Sequence, residues 1–116
     1  MHKLSHEGRD NVHIAPNEPQ KFVLVRCLDS DNGQTMVLWG DPTAEWHKDI
    51  VKEIADTKTN ILEVMGGGRI KLLPELKTIY VWGKSSRYGE APADEVRPIL
   101  EGAFPGYALI FGVPSE

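Results

Sequence analysis

Apolar and polar positions along this chain fall into blocks with different periods. In KFVLVRCL (21–28), Phe22, Leu24 and Arg26 share one face and Val23, Val25 and Cys27 the other. Both faces are largely apolar, which predicts a strand covered on both sides. DSDNG (29–33) is a turn signal, and QTMVLWG (34–40) predicts a second strand antiparallel to the first. The period then changes. DPTAEWHKDIVKEIADTK (41–58) predicts a helix with Asp41 as N-cap and Pro42 at its first position. At about 100° per residue, Ala44, Trp46, Ile50, Val51, Ile54 and Ala55 fill one half of the wheel. Glu45, Lys48, Asp49, Lys52 and Glu53 fill the other.

ILEVMGGGRIKLL (61–73) reads as a strand, a glycine break and another strand. KTIYVWG (77–83) is a strand after a turn at Pro74. APADEVRPILEGAF (91–104) predicts a shorter helix, regular from near Pro98 because that residue lacks a backbone donor. Val96, Ile99, Leu100 and Ala103 would face the core, and YALIFG (107–112) closes the sheet. Residues 1–18 hold few large apolar side chains and read as a loosely ordered lead-in to a domain at 19–116. The expected architecture is α/β (α+β): one domain with a mixed sheet of about six strands and two helices.

Composition narrows the function. The chain has 116 residues, 41% of them apolar, and a net charge of −4. The acidic balance argues against nucleic acid or an anionic membrane as partner. No apolar run approaches the roughly 18 residues of a membrane span. The polar N-terminus lacks a signal core, so an intracellular, cytoplasmic protein is expected. Cys27 is the single cysteine, which leaves no internal disulfide or cysteine-based zinc cluster. His2, His6 and His13 lack metal-ligand spacing and read as solvated. No metal or other cofactor is expected, and with no apolar surface stripe a monomer is expected.

Three features carry candidate chemistry. His47 falls in the middle of the apolar arc and therefore points at the sheet. A neutral imidazole near a helix start can serve as base or nucleophile, and a hydrogen-bonded core histidine is the competing reading. The glycine run 66–68 before Arg69 permits a sharp bend or a close backbone approach, with anion binding by its N–H groups as the alternative. Ser85, Ser86 and Arg87, after the strand ending at Gly83, form either an oxyanion cradle or a solvated turn. Lys21 gains interest if its strand end lies near them.

KFVLVR, AEWHKDI, GGGRI, IYVWGKSSRYG and FPGYALIF occur in this order over roughly residues 19–112. Together they closely resemble the Janus/Ocnus family, which includes a phosphohistidine phosphatase. The resemblance implies a mixed sheet with packed helices. It also implies metal-independent hydrolysis of phosphohistidine on protein substrates. The family's essential histidine falls on His47 and its phosphate-contacting lysine on Lys21. Its phosphate loop falls on Ser85, Ser86 and Arg87, and the arginine of its glycine motif on Arg69. Animal relatives carry small or apolar side chains where Ser86 and Arg87 stand, and a basic residue aligns with Trp39. Both departures bear on substrate preference. The rival readings are a non-catalytic phosphoprotein-binding module and a phosphoramidase of small molecules.

Overall fold

The computed structural model describes residues 11–28, 33–57 and 60–113. Their elements run β1 (Val12–His13), β2 (Gln20–Leu28), β3 (Gln34–Asp41), α1 (His47–Thr57), β4 (Asn60–Leu73), β5 (Thr78–Trp82), α2 (Ala93–Ala103) and β6 (Ala108–Phe111), with a 3-10 turn at Pro74–Leu76. The six strands form one mixed sheet in the order β1-β3-β2-β4-β5-β6. The β1–β3 and β5–β6 pairs are parallel and the others antiparallel. This is the expected α+β domain.

Each face of the sheet has its own core. Phe22 and Leu24 pack with Leu38, Ile70, Leu72, Ile79, Val96 and Leu100 under α2. Val23, Val25 and Cys27 pack with Val37, Trp39, Ile50 and Ile54 under α1. The alternation of β2 therefore sorts its side chains as the sequence predicts. Ile50 and Ile54, one helical turn apart, are both fully buried, and burial of each side chain contributes roughly 1.5–3 kcal/mol.

Five expectations are corrected. The lead-in is partly core: within residues 11–18, Val12 and His13 pair with β3, and Ile14 is fully buried among the α2-side residues. Few apolar residues are needed there, because Val12, Ile14 and Ala15 all point inward. Residues 1–10 lie outside the described residues, His2 and His6 among them. His13 is not simply solvated but half-buried and stacked on Trp39 at 4.1 Å between ring centroids.

The first helix starts five residues later than expected. Asp41 stays in β3, paired with Lys21, and its carboxylate accepts from the Thr43 N–H (2.8 Å) and hydroxyl (2.7 Å). Asp41 thus closes a turn after the strand, and Pro42 lies in that turn. The helix is capped instead at Trp46, whose N–H donates to the Asp49 carboxylate at 3.1 Å, half of a capping box. Trp46 accordingly leaves the core and is 55% exposed, and Ala55 is exposed too.

The glycine run does not break a strand. β4 continues through it, and the bend is absorbed by two bulges against β2, at Met65 and Leu62, where the register shifts. The sheet still has six strands because β1 replaces the extra one. Finally, α2 starts at Ala93 rather than near Pro98. Pro98 forfeits one backbone bond on the exposed side of the helix, while Val96 and Leu100 are fully buried and Ile99 and Ala103 pack beside them. No helix among the described residues is long and apolar enough to cross a membrane.

Candidate functional site

The late start of α1 places His47 at its first residue, where backbone N–H groups have no intrahelical partner and the helix end is partially positive. The ring lies over β4. Its Nε2 is 3.0 Å from the Gly68 carbonyl oxygen. A carbonyl only accepts, so Nε2 carries the hydrogen and donates it. In the neutral ring Nδ1 then keeps the lone pair. Burial disfavours the imidazolium and holds its pKa below the ordinary 6.5. The Gly68 carbonyl opposes that shift, and the nearby charges of Lys21 and Arg69 reinforce it. Orientation, tautomer and charge all leave one basic nitrogen near neutral pH.

Gly67 explains why glycines stand beneath the ring. A Cβ there would lie 2.6 Å from the Phe22 carbonyl oxygen, 2.9 Å from His47 Cδ2 and 3.4 Å from Ser85 Cβ. The missing side chain is therefore the space in which β2, the histidine and the serine loop meet. The Gly67 N–H donates to Gly89 O (3.0 Å), and its carbonyl accepts from Ala91 (3.2 Å). That amide is engaged by the protein, so Gly67 serves close approach and does not offer its N–H to an anion.

The loop after β5 is a closed turn. Ser85 and Gly89 exchange two backbone bonds, of 3.1 and 2.8 Å. The Ser85 hydroxyl oxygen accepts from the N–H groups of Arg87 (3.1 Å) and Tyr88 (3.0 Å). Ser85 is buried, and the solvated-turn reading does not describe it. The expected division of labour changes here: the Arg87 amide is spent inside the loop. Ser86 N–H has no partner among the described residues, and two incoming donors leave the Ser85 O–H free to donate outward. The Arg87 guanidinium lies 5.6 Å from the centre of the Tyr88 ring.

His47, Ser85, Ser86 and Arg87 line one cavity of about 280 Å³ together with Trp46 and Lys48. The sequence reading missed the last two because it counted the helix from Asp41. Asp49, three residues after Trp46, was the signal that would have moved the start. Lys21 and Arg69 do not line this cavity. They are directly paired across β2 and β4, on the side of the sheet that carries α1, and act on His47 through their charge. Trp39 is buried, and its indole N–H donates to Glu53 at 3.2 Å, so it ties β3 to α1.

The arrangement provides a basic nitrogen, a hydroxyl and an amide as donors, and cations at the rim: a site suited to a small oxyanion beside a proton acceptor. Residues 7–108 match the model of the Janus/Ocnus family (Ocnus). The chain is 32% identical over 115 residues to sex-regulated protein janus-A of Drosophila yakuba, covering 94% of this chain and 85% of that protein. It is 31% identical over 115 residues to janus-A of Drosophila melanogaster, with the same 94% and 85% coverage. The janus-A protein of Drosophila pseudoobscura pseudoobscura is 28% identical over 120 residues, at 94% and 80% coverage. By the extent of the family match and by these relatives, the chain belongs to the Janus/Ocnus family.

Proposed function

We propose that this protein is a phosphatase that hydrolyses phosphohistidine on proteins, with His47 as the reacting base or nucleophile and without a metal ion in the step. One observation carries the reading: the Nε2–H bond to Gly68 fixes the His47 ring and leaves Nδ1 basic. His47 lines a cavity with Ser85, Ser86 and Arg87. The P–N bond of phosphohistidine is labile, so catalysis needs positioning and charge neutralisation more than a strong electrophile. The Ser85 hydroxyl and Ser86 amide donate to phosphoryl oxygens, and Arg87, Lys21 and Arg69 balance their charge. Water oxygen bonds to phosphorus as the P–N bond breaks. His47 Nδ1 removes a proton from the attacking water, and the departing imidazole nitrogen takes one from solvent, after which His47 returns its proton to solvent. In the nucleophilic variant Nδ1 attacks phosphorus itself, and water then releases the phosphoryl group.

The test is release of phosphate from a phosphohistidine protein in EDTA, beside a His47→Ala variant. Turnover by the native protein and its loss in the variant are expected. Full activity in His47→Ala would remove His47 from the step. Inactivity of the native protein would favour the phosphoprotein-binding module, a reading compatible with relatives named as sex-regulated. Faster turnover of free phosphoramidate than of a phosphohistidine peptide would favour the small-molecule enzyme.

A further inference from the structure

α1 covers only part of its side of the sheet. The apolar cluster beneath it draws on β2, β3 and β4 and contains no residue of β5 or β6. Beyond it the strand registers bring together a second strip. Arg69 pairs with Trp82 and Lys71 with Tyr80 across β4 and β5, and Tyr80 pairs with Ile110 across β5 and β6. The alternate residues Ile70, Leu72, Ile79 and Val81 are buried on the α2 side, so these point the other way. They stay accessible: Arg69 is exposed, Lys71, Tyr80 and Trp82 are half-buried, and Ile110 is 41% exposed.

We propose that this strip, Lys71–Tyr80–Ile110 with Arg69 and Trp82, docks an extended acidic segment of the phosphohistidine-bearing protein. The inference rests on the phosphatase reading, because it names the partner surface of that same site. Charge complementarity is the argument. Lys21, Arg69 and Lys71 lie on adjoining positions, and no acidic residue occurs in β5, in β6 or in β4 from Gly66 onward. The whole chain carries −4, so an acidic segment is repelled by the molecule at large and attracted here. Tyr80 and Ile110 add an apolar floor for the segment's backbone and stems. The strip is continuous with the candidate site, since Arg69 follows Gly68, whose carbonyl holds His47. Arg69 to Lys71 is about 7 Å along the strand and Lys71 to Ile110 about 10 Å across two strand spacings. An extended peptide rises roughly 3.3 Å per residue. Counted from Arg69, where the strip adjoins the site, the recognised acids lie about two to four residues along the segment.

The experiment uses unphosphorylated peptides, so that binding is read apart from hydrolysis. Fluorescence anisotropy compares a labelled peptide with Asp and Glu two to four residues from histidine and its Asn/Gln counterpart. The native protein should bind the acidic peptide about tenfold more tightly, less so at high salt. Lys71→Glu should remove that preference, and Tyr80→Ser should weaken both peptides. Turnover of free phosphoramidate should stay unchanged in both variants, which also reports that they fold. Equal binding of the two peptides, or an unaltered preference in Lys71→Glu, overturns the docking surface even if hydrolysis is found. Acidic preference in a native protein that hydrolyses nothing overturns the phosphatase reading and leaves the surface standing.

Discussion

Gly67→Ala tests the fold and the site together. The added methyl meets the Phe22 carbonyl oxygen at 2.6 Å, His47 Cδ2 at 2.9 Å and Ser85 Cβ at 3.4 Å. The first contact is with the backbone of the neighbouring strand, which cannot rotate away. β4 must lift from β2, or the imidazole and the serine loop must retreat. Overpacking of this kind costs roughly 1–3 kcal/mol. In a domain of this size that lowers Tm by about 3–15 °C. Moving His47 by even about 1 Å relative to the 85–87 loop would cost on the order of 100-fold in rate. Gly112→Ala is the control, since a Cβ there meets nothing within 4 Å. The readouts are Tm by circular dichroism and phosphohistidine turnover. A Gly67→Ala protein with native Tm and native turnover would refute the claim that this glycine is the seat of the site.

Three further outcomes are expected. Lys21→Met should raise the His47 pKa toward 6.5, since the lysine charge helps depress it; an NMR titration of the imidazole that shows no rise contradicts this electrostatic link. Because the folded His47 binds fewer protons than the unfolded one, native stability should climb with pH between its depressed pKa and 6.5, and Lys21→Met should flatten that slope. Glu53 has the opposite sign: burial and the neighbouring Asp41 raise its pKa from 4.5 to about 7, so it weakens the fold as pH rises across that interval. Glu53→Gln should remove that loss, about 1 kcal/mol after solvent screening, and denaturant midpoints that keep the native pH dependence would contradict it. Ser85→Ala deprives the Arg87 and Tyr88 amides of their acceptor, which should cost roughly 1–3 kcal/mol and speed hydrogen exchange at those two amides, whereas unchanged exchange would show that Ser85 does not lock the loop.

Alternation was legible wherever a strand had two apolar faces: Phe22 and Leu24 against Val23 and Val25 sort as the pattern says. Boundaries were less legible where two signals competed. Asp41-Pro42 is a good helix start in isolation, but cross-strand pairing with Lys21 keeps Asp41 in the sheet. Pairing adds hydrogen bonds that a local reading cannot count. Val12 and Ile14 were invisible for a related reason. Two inward residues at a sheet edge give too short a pattern to register, although both are buried. Of the candidate site, residue identity was readable and the division of labour was not. No local rule says that the Arg87 amide is consumed by Ser85, or that Gly67 spends its N–H on Gly89.

The pairing of Lys21 with Arg69 concentrates positive charge at one place on an acidic protein. Like charges directly opposite on neighbouring strands are destabilising, and Lys21 and Arg69 stand directly opposite one another. Asp41 flanks Lys21 on its other side but already accepts two hydrogen bonds from Thr43. Burial first, and then these same two cations, depress the His47 pKa, so the imidazole gives up its proton more readily. A bound phosphoryl group would offset their repulsion and weaken their effect on His47 at once. On the phosphatase reading the histidine is unprotonated and less basic in the empty site, and gains proton affinity when phosphate is bound. Part of the His47 pKa shift and the proposed anion affinity thus depend on one pair of strand positions, at the end of the sheet where α1 begins.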